Sequence, residues 1–399
     1  MSAPEPDILF TTRPLPRIVC GAGAIDTIGR LAAEFGGHRA LIVSDPGIVA
    51  TGAPDRVAVH LMAEGIKPTV FDGVVENPTT DEVDLCVQVA KHCQADLIIG
   101  LGGGSSLDTA KGCNFIFTNG GRMEDYRGKD QAKKKMLPFI AVPTTAGTGS
   151  ECQCFALIAD PVTHQKMPCG DVKAMAVAAV LDPDLTLTQP PLVTACTGLD
   201  ALAHAVESYV CKVATPWSRT YSGRAYQLIR ENLPLVLAHP ENREARQAIQ
   251  LGASLAGAAI ENSMLGCAHA AANPLTARFG VVHGHAVALL LPPVIRRNAE
   301  DPATAEAYRE LLAGAGTEAA SGREAALTIA DEVEQWIGLT GLSPRLVACG
   351  VVPGAIPGLA EGAATQWTAN FNPRAYVEAD FESVYREAFG ESAVVPSDA

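Results

Sequence analysis

The stretch that decides the fold is DLIIGLGGGSSLD at residues 96–108, where an apolar run passes directly into three consecutive glycines and two serines. The short apolar run predicts a buried β-strand. The glycines predict a tight turn that opens a helix reaching Phe117, because glycine tolerates backbone conformations closed to other residues. Backbone N–H groups at the start of such a helix can bind a phosphate, so the segment predicts a strand–turn–helix phosphate site.

Taken alone, this turn is weak evidence for a phosphate ligand. A tight strand-to-helix connection is its ordinary structural role, and the sequence matches neither G-x-G-x-x-G nor the Walker A pattern. A second polar loop, PTTAGTGSE at residues 143–151, follows another apolar run and offers four hydroxyls. Asp45 follows an earlier strand, where a carboxylate can accept from ribose hydroxyls and repel a 2′-phosphate. Capping a helix explains Asp45 equally well, but the two loops together favour a bound nucleotide.

The first half of the chain alternates strand and helix patterns. Apolar runs at residues 40–44, 68–71, 96–100 and 139–142 predict strands, and helical patterns separate them. Strands that are apolar throughout indicate a parallel sheet covered by helices on both faces.

Beyond Pro190 the pattern is helical almost to the end. The predicted helices cover residues 197–210, 218–229, 245–260 and 303–312, and breaks are expected at Pro234, Pro240, Pro274 and Pro292-Pro293. The sequence therefore predicts an α/β domain at residues 1–187 and a helical domain at residues 188–399.

Composition excludes several classes of protein. The 399 residues are 48% hydrophobic with a net charge of −14, which argues against a nucleic acid or an anionic membrane surface as partner. Met1–Asp7 lacks a basic region followed by an apolar run, and residues 286–295 are too short to span a bilayer. The 11 cysteines show no recurring paired spacing, so a cytoplasmic protein with reduced thiols is predicted.

Two blocks of the helical half hold potential metal ligands. Asp200 and His204 are four residues apart in an apolar helical stretch, so they project from one face. His269 and His283 lie fourteen residues apart in the second block. Each histidine alone is more often structural than a ligand, but core packing does not explain their clustering. One carboxylate and three imidazoles suit a divalent ion such as Fe(II) or Zn(II).

With these motifs in place, the chain resembles the iron-containing (group III) alcohol dehydrogenase family, in particular its lactaldehyde reductases, propanediol dehydrogenases and butanol dehydrogenases. The resemblance extends in order over nearly the whole chain. It rests on residues 102–108, 143–151, 197–204 and 265–292 and on Asn372-Pro373-Arg374.

The resemblance implies a dehydroquinate-synthase-like fold, with a dinucleotide-binding α/β domain and an all-α metal-binding domain. It implies Asp200, His204, His269 and His283 as metal ligands, the last two also being catalytic. It implies NAD(H) rather than NADP(H), and assembly as a homodimer or larger homo-oligomer. The implied cofactor contacts are Asp45, Asn77, Gly102, Gly103, Gly104, Ser105, Asp108, Thr144, Thr145, Thr148 and Lys166.

One position departs from the family pattern. The family often has a second histidine four residues after the third ligand, and here that position is Asn273. An amide can hydrogen-bond but cannot titrate, which puts a proton-relay role in doubt. His285 is an additional titratable group that would compensate, although a partly exposed helix residue is the favoured interpretation of it.

The predicted activity is metal-dependent hydride transfer between NAD(H) and a small primary alcohol, diol or aldehyde. Fe(II) is favoured because four protein ligands leave an open position more readily on iron than on tetrahedral zinc, and Zn(II) is the competitor. A hydroxyacid–oxoacid transhydrogenase with retained cofactor and a dehydroquinate-synthase-like lyase are the alternatives. The lyase needs several basic residues for an acidic substrate, whereas Arg278 is the only base near the metal blocks. A metal or nucleotide sensor is the non-enzymatic alternative.

Overall fold

The computed structural model describes residues 10–163 and 165–390, so Met1–Asp7 lies outside the described residues. The strands all lie in the first half of the chain. They are β1 (Arg17–Cys20), β2 (Arg39–Val43), β3 (Lys67–Phe71), β4 (Leu97–Gly102), β5 (Gly128–Lys129), β6 (Phe139–Pro143), β7 (Phe155–Ala159), β8 (Lys166–Gly170) and β9 (Ala178–Leu181).

Six of these strands form one parallel sheet in the order β1-β9-β6-β4-β2-β3. The four predicted strands are β2, β3, β4 and β6, and β4 at the centre is buried along its whole length. Helices α1 (Ile28–Glu34), α2 (Pro46–Val49), α3 (Ala53–Ala63), α4 (Thr80–Cys93) and α5 (Gly104–Asn119) connect the strands. Apolar cores fill both faces, which confirms the prediction of a parallel sheet covered on two sides.

A second, small sheet was not predicted. It has the order β5-β8-β7, and β7 pairs with β8 in antiparallel fashion. This hairpin follows the loop 143–151 and packs on α5, so it supports that loop from the side.

The second half is helical, as predicted. Its helices are α6 (Pro191–Val210), α7 (Pro216–Ala238), α8 (Arg243–Glu261), α9 (Cys267–Phe279), α10 (His283–Asn298), α11 (Pro302–Gly314), α12 (Gly322–Leu339), α13 (Ile356–Ala364) and α14 (Glu378–Phe389). They surround a single large apolar core. In the described part of the chain, none of the helices combines the length and apolar character needed to cross a bilayer.

The proline breaks were predicted wrongly in three places. Pro234, Pro274 and Pro292-Pro293 lie inside α7, α9 and α10, whereas Pro240 does separate α7 from α8. A proline inside a helix costs about 3 kcal/mol. Pro274 and Pro292-Pro293 are buried in the helical core, where the packing of apolar neighbours outweighs that cost.

The two halves meet closely at α8 and the loop 143–151. Gln250 donates to the Pro143 carbonyl at 3.0 Å, and Ser254 donates to the Glu151 carboxylate at 2.5 Å. The predicted domain boundary at residue 187 lies between the end of β9 and the start of α6, and it stays a prediction.

Gly257 is expected to be essential for this contact. A Cβ at Gly257 would collide with the carbonyl group of Gly149, so the Gly257→Ala variant should lose about 1–3 kcal/mol of unfolding free energy. Chemical denaturation measures the loss. The matched control is Gly338→Ala, at an exposed helical glycine with nothing within 4 Å of its Cβ position, which should gain up to about 1 kcal/mol. Equal stability of the two variants would contradict the close contact.

Candidate functional site

Three imidazoles converge on one carboxylate oxygen in the helical half. Helix α6 carries Asp200 and His204 one turn apart, α9 carries His269 in its first turn, and α10 begins at His283. The Nε2 atoms of His204, His269 and His283 lie 3.5, 3.4 and 3.8 Å from Oδ1 of Asp200. The ligand atoms of Asp200, His269 and His283 lie within 4.8 Å of one another.

Two of the facing atoms are buried without a hydrogen bond. Neither Asp200 Oδ1 nor His269 Nε2 has a hydrogen-bond partner in the described part of the chain. The rings of His204 and His269 stack with centroids 4.8 Å apart, so hydrogen bonding does not explain the convergence. Unpaired buried polar atoms are costly, and a shared cation would satisfy them, so this donor set fits a divalent metal ion. His283, whose side chain is 34% exposed, forms the open side of the cluster.

The electrostatics of the cluster favour a cation. Burial alone would raise the pKa of Asp200, but the facing imidazoles of His204, His269 and His283 hold it well below its usual value. Asp200 therefore stays ionised inside the protein. For His269 the effects are reversed: burial alone would lower its pKa, but the carboxylates of Glu207 and Asp200 outweigh burial and raise the pKa to about 9. The buried carboxylates therefore attract positive charge to this position.

Glu207 is a functional residue that the sequence analysis missed. Its Oε2 lies 2.6 Å from Nδ1 of His269, and its Oε1 accepts from the backbone N–H of Ala268 at 2.7 Å. A carboxylate at this place holds the Nδ1 proton and turns the Nε2 lone pair toward the cluster. The spacing in the sequence could have indicated Glu207, because residues 200, 204 and 207 share one face of α6.

Asn372 fixes the start of α9, which carries His269. Its Oδ1 accepts from the backbone N–H of Cys267 at 3.2 Å and from Nδ2 of Asn298 at 3.2 Å. Its own Nδ2 donates to the Arg374 carbonyl at 2.8 Å. The Asn372-Pro373-Arg374 turn therefore holds the N-terminus of α9 against α10.

Replacing Glu207 with glutamine is expected to weaken metal binding by about 10–100-fold, because the amide cannot hold the Nδ1 proton of His269 as the carboxylate does. Isothermal titration of the metal-free protein with Fe(II) or Zn(II) measures the change. The control is Glu261→Gln, a carboxylate that is also buried but bonds to Cys154 in the other half. Unchanged metal affinity in Glu207→Gln would show that the contact does not orient His269.

The two predicted phosphate loops lie against each other. The backbone N–H of Thr144 donates to the Gly102 carbonyl at 2.9 Å, where β6 and β4 end side by side. A Cβ on Gly104 would lie 2.8 Å from the methyl group of Thr148, and one on Gly103 would lie 3.3 Å from that of Thr145. Glycine is thus required for the two loops to pack this closely, and the half-buried backbone of Gly103 and Gly104 lies beside threonine hydroxyls. This arrangement fits a diphosphate at the carboxyl ends of parallel strands.

Asp45 caps a helix and also lies beside the glycine turn. Its Oδ1 accepts from the backbone N–H of Ile48 at 3.1 Å and so caps α2, while its Oδ2 accepts from Ser106 Oγ at 3.3 Å. The second contact places the carboxylate beside the glycine turn. Ser105 is also at this turn, where its Oγ accepts from the backbone N–H of Asn77 at 3.3 Å.

Asp108 and Lys166 lie at the margin of this region. Asp108 accepts from Ser150 Oγ at 2.7 Å and from the backbone N–H of Leu157 at 3.1 Å, so its oxygens are engaged within the protein. Burial raises the pKa of Asp108, and the ammonium groups of Lys111 and Lys166 oppose that shift. Lys166 is exposed at the start of β8, with its charge near Asp108.

The structure does not bring His285 into the metal cluster. It is buried, not partly exposed as favoured above, and its Nε2 lies 2.8 Å from the Ser343 carbonyl. Asn273 is half-buried one turn after His269, and its Nδ2 donates to Oε1 of Gln366 at 3.0 Å. The predicted catalytic role of each stays a prediction.

Comparison with known proteins assigns the chain to a family. Residues 15–183 match the model of the iron-containing alcohol dehydrogenases, and residues 194–389 match that of the C-terminal domain of the Fe-containing alcohol dehydrogenase family. The chain belongs to the iron-containing alcohol dehydrogenase family. The resemblance stated from the sequence is thereby confirmed, as is the predicted fold class.

The relatives are alcohol and diol dehydrogenases. The chain is 33% identical to the NAD-dependent methanol dehydrogenase of Bacillus methanolicus, over 94% of this chain and 98% of that one. It is 34% identical to the 1,3-propanediol dehydrogenase of Citrobacter freundii, over 92% and 96%. Among solved structures, a 1,3-propanediol oxidoreductase superposes with a TM-score of 0.91 at 32% identity. The superposition covers 96% of this chain and 100% of that one. These findings support an NAD-linked alcohol dehydrogenase over the transhydrogenase, lyase and sensor alternatives.

Proposed function

We propose that this protein is an iron-dependent, NAD(H)-linked dehydrogenase that interconverts a small primary alcohol or diol with its aldehyde. The observation that carries the proposal is the approach of three imidazole Nε2 atoms to within 3.8 Å of one Asp200 oxygen. Membership of the iron-containing family supports iron, and the NAD-dependent relative supports the cofactor.

Asp200, His204, His269 and His283 would hold the metal. When bound, the ion supplies a Lewis acid that polarises the substrate oxygen. Asp200 contributes the negative charge, and Glu207 fixes the ring of His269. The partial exposure of His283 leaves a side from which substrate can approach. Fe(II) is proposed over Zn(II) because it accepts more than four ligands readily.

The two loops would hold the cofactor. Gly102, Gly103 and Gly104 offer backbone N–H groups and close approach to the diphosphate, while Thr144, Thr145 and Thr148 offer hydroxyls. Asp45 would accept from the ribose hydroxyls and disfavour a 2′-phosphate. Asn77, Ser105, Asp108 and Lys166 complete the proposed set, although Asp108 acts by holding the loop through Ser150.

The proposed substrate is small and carries little charge. Helix α9 around His269 carries mainly alanine and other uncharged residues, and Arg278 is its only arginine or lysine. Lys166 acts on His283 from the other half of the chain, but one ammonium group falls short of the several basic residues that an acidic substrate would need. The assembly proposed is a homodimer or larger in the cytoplasm, where the 11 free cysteines would stay reduced. Light scattering of the purified protein measures the oligomer.

Metal analysis of anaerobically purified protein, paired with NADH oxidation over small aliphatic aldehydes, tests the proposal. We expect iron bound to each chain and turnover that chelation abolishes and Fe(II) restores. Full turnover after chelation would overturn the metal-dependent mechanism. Turnover of an alcohol–aldehyde pair without added NAD(H) would identify the transhydrogenase instead.

A further inference from the structure

A small cavity lies where α6, α7 and α8 meet the loop 143–151. Its polar lining comes from Thr186, Gln189, Thr194, Thr197 and Arg246, and Ala146 closes it on the side of the loop. None of these residues belongs to the metal cluster or to the proposed cofactor contacts. Its volume of about 10 Å³ suits one particle of roughly the size of a water molecule.

Arg246 brings a positive charge to this cavity without a counter-ion. The residue is only 3% exposed, and its guanidinium donates to the carbonyls of Pro240 and Thr186. Nη1 also lies 3.5 Å from Oε1 of Gln189. All three acceptors are neutral. The exposed carboxylate of Glu241 acts on the guanidinium only from a distance, because no carboxylate in the described ranges lies within the 4.0 Å of an ion pair. A buried charge without a partner is costly, so this arginine favours an anion beside it.

Two further donors at the cavity are unused. Among the described residues, neither Nε2 of Gln189 nor Oγ1 of Thr194 has a hydrogen-bond partner. Oε1 of Gln189 faces Arg246, so its amide nitrogen Nε2, which can only donate, is left without an acceptor. Thr194 is 8% exposed, so bulk water does not satisfy its hydroxyl. The cavity therefore combines a guanidinium, an amide N–H and a hydroxyl.

We propose that this cavity binds a single chloride ion held by Arg246, Gln189 and Thr194. A water molecule could donate to the hydroxyl oxygens of Thr186 and Thr197, but it would leave the charge of the buried guanidinium uncompensated. A small anion accepts from all three groups and neutralises the guanidinium. Phosphate and sulfate are several times larger than a water molecule, whereas a monatomic chloride ion is only moderately larger, so chloride fits this small cavity better.

The bound anion would stabilise the junction between the two halves. Thr194 and Thr197 belong to α6, the helix that carries Asp200, and Ala146 belongs to the second proposed cofactor loop. An anion between them links the loop to the helix. Any effect of chloride on NAD(H) affinity rests on the proposed function, whereas chloride binding itself does not, so the two can fail separately.

Thermal unfolding in sodium chloride and in sodium gluconate, at constant ionic strength, tests the binding. A site-bound ion should raise the Tm in chloride by about 1–2 °C per tenfold increase above its Kd, with no rise in gluconate. Constant ionic strength removes general screening from the comparison. Identical Tm values in the two salts would overturn the proposal.

Variants at the cavity test whether the chloride dependence of Tm arises there. Gln189→Glu places a carboxylate beside Arg246 and should abolish the chloride dependence of Tm, because the protein then supplies its own anion. Thr194→Val should weaken the chloride Kd by about 10–100-fold, as expected for loss of a hydrogen bond to a charged group. The control is Arg243→Met, an exposed neighbouring arginine paired with Asp184, which should keep the dependence. A chloride dependence retained in Gln189→Glu would contradict the site.

Anomalous diffraction from crystals soaked in bromide gives an independent measurement. We expect a peak within hydrogen-bond distance of Arg246 in the wild type and none in Gln189→Glu. A peak without any difference in Tm between chloride and gluconate would mean an adventitious ion only. A water molecule at this place would also overturn the proposal.

Discussion

Replacing Asp200 with asparagine is expected to remove the bound metal and to lower kcat/KM by at least about 10³-fold. Oδ1 of Asp200 is the atom on which His204, His269 and His283 converge. Asparagine keeps the shape of the side chain and its place on α6, so the variant removes chiefly the negative charge. Three neutral imidazoles alone bind a divalent ion more weakly and leave its charge uncompensated.

Metal content by mass spectrometry and turnover with NADH measure the two effects separately. Thermal unfolding of the metal-free proteins shows whether the variant still folds cooperatively, and a cooperative transition excludes misfolding as the cause. A suitable control is Asp301→Asn, since this half-buried residue caps α11 through Thr304 and lies outside the cluster. Retention of both iron and activity in Asp200→Asn would refute the proposed centre.

The sequence predicted the central part of the sheet because its strands carry a strong apolar signal. Residues 97–102 are buried throughout and end in consecutive glycines, so length and composition together indicate a strand. The edge strand β1 is mostly exposed and only four residues long, and β9 begins with two alanines, which are uncommon in strands. Their pairing depends on residues more than 150 positions apart, which local patterns do not contain.

The prolines show the opposite error: a strong local signal predicted helix breaks, but tertiary packing overrides it. Proline disfavours a helix interior, yet Pro292 and Pro293 continue α10 within the helical core. Burial of the surrounding leucines stabilises the helix by more than the lost backbone hydrogen bonds cost. The boundary between α9 and α10 instead falls at Gly280, which has the left-handed backbone that ends helices.

At the site, the sequence indicated residue types but not their mutual orientation. The spacing of Asp200 and His204 is a local property of one helix, and it was sufficient to place both on one face. The contact of Glu207 with His269 joins α6 to α9, and that of Asn372 with Cys267 joins α9 to a turn more than 100 residues later. Such contacts depend on how helices pack, which is fixed by the whole core.

Replacing Asp45 with serine is expected to raise the ratio of NADP(H) to NAD(H) use by about 10²-fold, since like charges placed together cost several kcal/mol. The carboxylate lies beside the glycine turn through its contact with Ser106, where a 2′-phosphate would meet it. Serine keeps an oxygen that can cap α2 at Ile48, so the helix should retain its stability. Steady-state kcat/KM with each cofactor measures the ratio.

Asp45→Ala separates the two roles of this residue. Alanine removes the charge and the cap together, so it should give the same change in cofactor ratio with an additional loss of about 1 kcal/mol of stability. If the ratio stays constant in both variants while only Asp45→Ala loses stability, Asp45 is a helix cap alone. The selectivity for NAD(H) must then come from another part of the proposed cofactor site, such as the exposed Asn77 beside Ser105.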